Sequence, residues 1–132
     1  MNFLLDTDTC SYYLKNDPKV VARVMLHYGS LAVSVITVGE LLTWAMRANA
    51  PRRRIDGVRD LVAGFSIVEV SLPVVEKFGE IRAELLDQGL SRSPMDLLNA
   101  AIALVHNLTL VTHNVQDYAG IPNLTIDDWA IP

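Results

Sequence analysis

The sequence predicts one α/β domain spanning residues 1–132, a three-layer α/β/α sandwich around a mainly parallel sheet of four to five strands. Short apolar runs alternate with longer helix-like segments, which is the pattern of a parallel sheet with crossover helices. The 132 residues are 51% hydrophobic and 20% charged. That composition supports one packed core and argues against disorder.

The first half of the chain reads as three strands separated by helices. Strands are expected at 2–5, 31–35 and 67–70, where apolar or β-branched residues run together. Four helices are expected: one that runs to Leu14 with Thr7 or Asp8 as its cap, one from Asp17-Pro18 to Gly29, one from Thr37 to about Asn49, and a basic one to about Gly64. Asp17-Pro18 is a strong helix start, because aspartate caps and proline fits the first helical position.

The second half repeats the alternation. A long helix is expected from Ser71 and Pro73 to Gly89, and another from Ser93-Pro94 to His106-Asn107. Strands follow at 108–112 and 124–126. No repeat or linker divides the chain, so we expect a single domain.

The net charge, the hydropathy and the N-terminal residues count against three classes of protein: general nucleic-acid binders, membrane proteins and secreted proteins. The net charge of −4 and pI of about 5.2 count against a general nucleic-acid binder. No apolar run approaches the ~20 residues needed to span a bilayer, and the N-terminus lacks the basic region of a signal peptide. With a single cysteine, the chain is expected to be cytoplasmic.

Local charge differs from global charge in one region, where five arginines fall close together with few acids between them: Arg47, Arg52, Arg53, Arg54 and Arg59. The cluster is compatible with a solvated helix face, with phosphate contact, or with an acidic partner segment.

Four acidic residues carry the functional prediction: Asp6, Glu40, Asp96 and Asp117. Asp6 and Asp117 follow predicted strands. Glu40 and Asp96 lie near the start of a predicted helix. Such positions share the carboxyl edge of a parallel sheet, where these folds bind ligands. Holding several carboxylates ionised together favours a hard cation such as Mg²⁺. Taken singly, Glu40 and Asp96 also fit capping boxes with Thr37 and Ser93.

The ordered set of motifs resembles the PIN-domain ribonucleases, and especially VapC-type toxins of bacterial toxin–antitoxin systems. The matching stretches are "FLLDTDTCSYYL", "VSVITVGELL", "SPMDLLNAAIAL" and "LTLVTHNVQDYAGIPNLTIDDW". By this resemblance the four acids match the family's metal-binding positions, and Thr112 and Asn114 match polar residues that shape the site. Many members carry an acid where this chain has Asn114, so Asp117 is taken as the fourth carboxylate.

The resemblance implies a metal-dependent endoribonuclease that uses Mg²⁺, with Mn²⁺ able to substitute, and no organic cofactor. The implied substrate is a structured RNA such as tRNA, and the implied partners are a small antitoxin and a second copy of the chain. RNA or partner contacts are expected from the basic side chains Arg47, Arg52, Arg53, Arg54 and Arg92. The apolar stripe of Val20, Val21, Val24 and Tyr28 is the expected dimer surface.

Two other interpretations remain at this point. "LLDTDTC" also resembles the opening of haloacid-dehalogenase phosphatases, with Asp6 as nucleophile and Asp8 as general acid/base. That family needs a later lysine and a late acidic pair in positions this sequence does not provide. A receiver-like domain is also not supported, because it needs a phosphoacceptor aspartate after a central strand and a late lysine, and the sequence shows neither. The other interpretation is a non-catalytic PIN-like interaction module.

Overall fold

The computed structural model describes all 132 residues, and its five strands form one parallel sheet. The strands are β1 (Phe3–Leu5), β2 (Leu31–Ser34), β3 (Ser66–Val68), β4 (Thr109–Val111) and β5 (Ile126–Asp127). Their order across the sheet is β3-β2-β1-β4-β5. The order reverses between β1 and β4, and such switch points are where open α/β sheets bind ligands.

Helices cover both faces of this sheet. They are α1 (Thr7–Leu14), α2 (Pro18–Leu26), α3 (Val35–Ala45), α4 (Arg52–Gly64), α5 (Leu72–Asp87) and α6 (Pro94–His106), with a 3₁₀ helix at Val115–Tyr118. The predicted three-layer sandwich is therefore confirmed. No helix has both the length and the apolar character that crossing a membrane requires.

Side-chain alternation along the strands divides the core in two. Leu4, Ala32 and Leu110 point to one face and pack with α5 and α6. Their neighbours Leu5, Val33 and Val111 point to the other face and pack with α1 to α4. The sheet thus separates two apolar layers, and α1 to α4 form one continuous outer layer.

The expected dimer surface on α2 is wrong in part. Val20 and Val24 are fully buried and belong to the core that α1 to α4 enclose. An amphipathic helix turns its apolar stripe to the core, so the stripe is not free for a partner. The exposed apolar side chains of this region are Met25, Leu26 and Tyr28.

Two predicted helix starts are also wrong. Asp6, rather than Thr7 or Asp8, caps α1 and accepts a hydrogen bond from the Thr7 amide at 2.8 Å. Ser34 caps α3 by accepting from the Thr37 amide at 3.1 Å. Strand β2 runs directly into α3 with no loop between them, so the helix begins two residues earlier than the β-branched run indicates.

These corrections remove both capping-box interpretations. Glu40 lies in the second turn of α3, beyond the free amides of the helix start. Asp96 lies in the first turn of α6, but the Ser93 side chain makes no capping hydrogen bond. Neither acid is explained by capping alone. At the other end, Asn107 closes α6 in the left-handed conformation with φ +55°, which asparagine tolerates.

Candidate active site at the carboxyl ends of the strands

Asp6 is the most buried of the candidate acids, with 6% of its surface exposed. It directly follows the central strand β1, which places it at the switch point of the sheet. Besides the Thr7 amide, its carboxylate accepts hydrogen bonds from Asn99 Nδ2 at 3.2 Å, Thr112 Oγ1 at 3.3 Å and Tyr118 OH at 2.6 Å. A buried carboxylate with this many donors has a fixed orientation.

Asn99 connects that carboxylate to the neighbouring strand. It is 1% exposed, on the face of α6 that meets the sheet. Its Oδ1 accepts from Ser34 Oγ at 2.5 Å, and its Nδ2 lies 3.4 Å from Thr37 Oγ1 as well as near Asp6. The amide therefore joins β1, α3 and α6 at the level of the site.

Asp8 holds the loop that follows β4. Its carboxylate accepts from the backbone amides of Thr9 at 2.7 Å, His113 at 3.0 Å and Asn114 at 3.1 Å, and from the Thr112 hydroxyl at 3.3 Å. Burial, followed by the charge of Asp6, raises the pKa of Asp8. This acid is thus a structural neighbour of the site whose oxygens are largely occupied.

Tyr118 lies between Asp6 and Asp96. Its hydroxyl is 2.6 Å from Asp6 Oδ2 and 3.4 Å from Asp96 Oδ1, and the residue is 2% exposed. Burial, with the nearby charge of Asp6, raises the pKa of Tyr118 far above neutrality. The phenol therefore stays protonated and donates to the carboxylates.

Asp96 is half-buried, and its pKa responds to the charges of the other candidate acids. Burial comes first among the causes that raise the pKa of Asp96 to about 6, followed by the charges of Asp6 and Asp117, with a smaller effect of Glu40. The Tyr118 hydrogen bond acts in the opposite direction. The other three sequence-predicted acids therefore lie within electrostatic reach of Asp96.

The two remaining acids are more exposed. Glu40 accepts a hydrogen bond from Thr7 Oγ1 at 2.5 Å, which ties α3 to the start of α1. Asp117 lies on the 3₁₀ helix after β4 and makes no side-chain hydrogen bond within the chain. The Asn114 amide donates to Asp8 and to Thr112 Oγ1, so Asn114 shapes the loop through its backbone.

The donor set suits a hard cation, although its present arrangement is not a compact metal site. No three acidic, histidine or cysteine side chains are close enough together to hold an ion between them. Hydrogen bonds from Tyr118 and Thr7 occupy oxygens of Asp6 and Glu40. No lysine or arginine forms an ion pair with any of the four acids. Carboxylates that are gathered without a cationic partner match the oxygen-ligand preference of Mg²⁺ and Mn²⁺.

The arginines predicted to contact RNA or a partner lie in different surroundings. Arg52 pairs with Asp56 on the surface of α4, whereas Arg54 packs over the Trp44 ring. Arg47 is exposed after α3. Arg92 is half-buried, and its Nη2 donates to the Ala119 carbonyl at 3.0 Å, just beyond the 3₁₀ helix that carries Asp117.

The fold and the site together define an α/β domain with a carboxylate cluster at the switch point of a parallel sheet. Residues 3–119 match the sequence model of the PIN domain family. The chain belongs to the PIN domain family. The phosphatase and receiver-like interpretations are therefore excluded.

Full-length relatives and solved structures agree with this assignment. A protein from Salmonella typhimurium named tRNA(fMet)-specific endonuclease VapC is 32% identical over 130 residues, with 98% of each chain covered. The chain is also similar to the DNA-bound VapBC structure from Salmonella typhimurium, with a TM-score of 0.91, 32% identity and 98% coverage of both chains. VapBC2 from Rickettsia felis, bound to a promoter DNA fragment, has a TM-score of 0.89 at 28% identity, with 98% of this chain and 99% of that chain covered. The resemblance to VapC-type toxins is confirmed.

Sequence reasoning missed Asn99 and Tyr118 and gave Asp8 only a capping or phosphatase role. Asn99 had a usable signal, since it is one polar residue within an Ala-rich helix, three positions after Asp96 and thus on the same face. Tyr118 directly follows Asp117 and had no signal that separates it from an ordinary core aromatic.

Proposed function

We propose that this chain is the endoribonuclease toxin of a toxin–antitoxin pair and that it hydrolyses phosphodiester bonds in tRNA. The observation that carries the proposal is the hydrogen-bonded grouping of Asp6, Tyr118 and Asp96 at the sheet edge, in a chain similar over its whole length to a protein named as a tRNA endonuclease. The Salmonella typhimurium and Rickettsia felis structures are titled as VapBC assemblies, which supports an antitoxin partner.

The reaction depends on a divalent cation, Mg²⁺ or in its place Mn²⁺. Asp6, Asp96 and Asp117 would hold the ion, with Glu40 at its side. When bound, the ion supplies a Lewis acid that activates water and neutralises charge on the scissile phosphate. No organic cofactor is needed for this chemistry.

The side chains around these acids set their orientation and charge. Asn99, Thr112 and the Thr7 amide hold the Asp6 carboxylate in one orientation. The pKa of Asp96 is raised to about 6, so near neutral pH this carboxylate is mostly ionised and competent as a ligand. Asp117 rather than Asn114 completes the acidic set, because its charge acts on Asp96 and its oxygens are free of intramolecular bonds.

The antitoxin would bind along an apolar groove on the outer layer of helices. This groove of about 380 Å³ lies among α1, α2 and α4. Its lining includes Tyr13, Val21, Met25, Tyr28 and Phe65. An amphipathic helix of a partner can bury its apolar face in such a groove.

A homodimer would use a different surface from the one expected on α2. Ile67, Val70, Leu72 and Val75 are exposed apolar side chains around the edge strand β3 and the start of α5. Contiguous exposed apolar side chains mark interaction surfaces. Leu72→Asp is expected to convert a dimer to a monomer in light-scattering measurements, whereas a monomeric parent chain would contradict the proposal.

The function is tested by cleavage of unfractionated tRNA with Mg²⁺, Mn²⁺ or EDTA. The parent chain should cut in a metal-dependent manner, Asp96→Asn should not, and Asp87→Asn, an exposed acid at the end of α5, should cut like the parent. Asp117→Asn should also lose activity, while Asn114→Ala should retain most of it. A folded, antitoxin-free chain that does not cut even with Mn²⁺, and whose growth inhibition survives Asp96→Asn, would favour the non-catalytic interaction module.

A further inference from the structure

A groove on the outer layer of helices lies beside the acids rather than among them. It has a volume of about 600 Å³. It lies between the end of α1, the end of α3 and the start of α4. Seven residues line it: Leu14, Lys15, Asn16, Trp44, Arg53, Arg54 and Gly57. We call it the basic groove, since three of these side chains are cationic and none is acidic.

The three cations of the basic groove have no acidic partner within the chain. Lys15 and Arg53 are exposed and form no ion pair, in contrast to Arg52, which pairs with Asp56. Arg54 is half-buried, with its guanidinium 4.7 Å from the centre of the Trp44 ring and its Nη1 3.4 Å from the Trp44 carbonyl oxygen. Trp44 thus holds one cation in place at the groove wall.

The basic groove adjoins the candidate active site along two helices. Trp44 follows Glu40 by four residues on α3, so both side chains lie on the same helix face about 6 Å apart along the axis. Lys15 caps the C-terminus of α1, nine residues after Asp6 at the N-cap, which is about 13 Å along the axis. At ~3.4 Å per nucleotide of a stacked strand, the basic groove begins about two and ends about four nucleotides from the acids.

The position of the basic groove near the acids matters for the binding of a polyanion. The acids around Asp6 repel a polyanion, and the whole chain has a net charge of −4. A nucleic acid strand therefore needs local cations to remain bound while one phosphate approaches the acids. Unpaired cations are available at the basic groove, two to four nucleotides away.

We propose that the basic groove binds phosphates of an RNA strand about two to four nucleotides from the scissile bond, with Lys15, Arg53 and Arg54 as the phosphate contacts. This inference rests on the proposed ribonuclease function and adds a subsite to it. Lys15 and Arg53 neutralise phosphates from the two sides of the groove. Arg54, fixed over Trp44, provides the contact nearest to Glu40.

The test is the salt dependence of tRNA binding by the Asp96→Asn chain, which binds without cutting. A fluorescently labelled initiator tRNA transcript is titrated at ionic strengths from about 50 to 200 mM. Each single-strand phosphate contact contributes about 0.7 to the slope of log K against log salt, so removing two contacts should reduce the slope by about 1.4. Between the lowest and the highest salt, the affinity of the variant for tRNA should therefore fall by a factor about sevenfold smaller than that of the parent.

The variant is Lys15→Ala with Arg53→Ala, and the matched control is Lys77→Ala with Arg82→Ala. The control removes the same charge from α5, on the opposite face of the sheet. Reduced slope and weaker binding in the variant alone would support the subsite. Because Lys15 and Arg53 are exposed, thermal unfolding should be close to that of the parent.

Failure of the subsite and failure of the ribonuclease function give different results. If the parent cuts tRNA and the variant keeps the parental slope, the basic groove is not an RNA subsite. If the variant keeps that slope but loses affinity for the antitoxin, the groove belongs to the protein partner and the proposal is overturned. If the parent neither cuts nor binds tRNA, both proposals are overturned.

Discussion

Removal of the Tyr118 hydroxyl is the sharpest single perturbation of the site. Tyr118→Phe keeps the buried ring and deletes only the donor that lies 2.6 Å from Asp6 and 3.4 Å from Asp96. A hydrogen bond to a charged group contributes about 1.5–3 kcal/mol. For a domain of this length that corresponds to a decrease of about 5–10 °C in melting temperature, measured in EDTA.

The same substitution should change the response to Mg²⁺ in the opposite direction. In the parent chain the phenol occupies Asp6 Oδ2, an oxygen that a cation would otherwise use. The variant should therefore gain more stability than the parent when Mg²⁺ is added, because binding to the folded state stabilises it by mass action. Melting temperatures across a Mg²⁺ titration measure this difference.

Tyr12→Phe is the matched control, since the Tyr12 hydroxyl makes no hydrogen bond within the chain and the residue is half-buried. It should leave both the melting temperature and the Mg²⁺ response near those of the parent. Equal stability of Tyr118→Phe and the parent in EDTA would refute the reasoning. An unchanged Mg²⁺ response would refute the competition between the phenol and the cation.

Three further predictions concern other side chains of the site. Because the pKa of Asp96 is raised to about 6 from an ordinary 3.8, the free energy of unfolding of the parent chain should decrease as pH rises from ~4 to ~6. Asp96→Asn removes this titration, so denaturation in EDTA should show the variant becoming more stable relative to the parent over the same interval. Asn99→Ala removes one donor from the buried Asp6 carboxylate and leaves the buried Ser34 hydroxyl without its acceptor, so urea unfolding should show a loss of about 2–4 kcal/mol. Asp8→Ala leaves the His113 amide without its acceptor and removes one of the two acceptors of the Asn114 amide, at a cost of about 1–3 kcal/mol, whereas Asp8→Asn, which keeps one acceptor oxygen, should cost less by the same measurement.

The succession of strands and helices along the chain and the edge on which the acids lie could be predicted, because the apolar runs and helix starts are local signals. Apolar runs such as Leu31–Ser34 alternate with helices, and parallel strands place everything that follows them at one edge. The sequence therefore predicts one shared region for Asp6, Asp96, Asp117 and Glu40. The chain reversal around β1 then gathers them at the switch point.

What the sequence could not provide depends on tertiary contacts. The β-branched run of Val35, Ile36 and Thr37 favours a strand, yet these residues are helical because α3 packs on the sheet directly after β2. The stripe of Val20 and Val24 has the same pattern whether it meets a core or a partner, and only packing shows that it meets the core. Asn99 is polar in an apolar helix, but its three partners come from distant parts of the chain.

The double role of Asp6 has a consequence for genetics. Its carboxylate both begins α1 and anchors a buried hydrogen-bond network, whereas Asp117 is exposed and has no intramolecular bond. In a selection for cells that survive expression of this chain, substitutions of Asp6 should yield poorly accumulating protein, and substitutions of Asp117 should yield abundant, inert protein. The inert class still presents an intact outer surface, so it would sequester the proposed antitoxin and act as a dominant trait. The poorly accumulating class would behave as a simple loss of the gene.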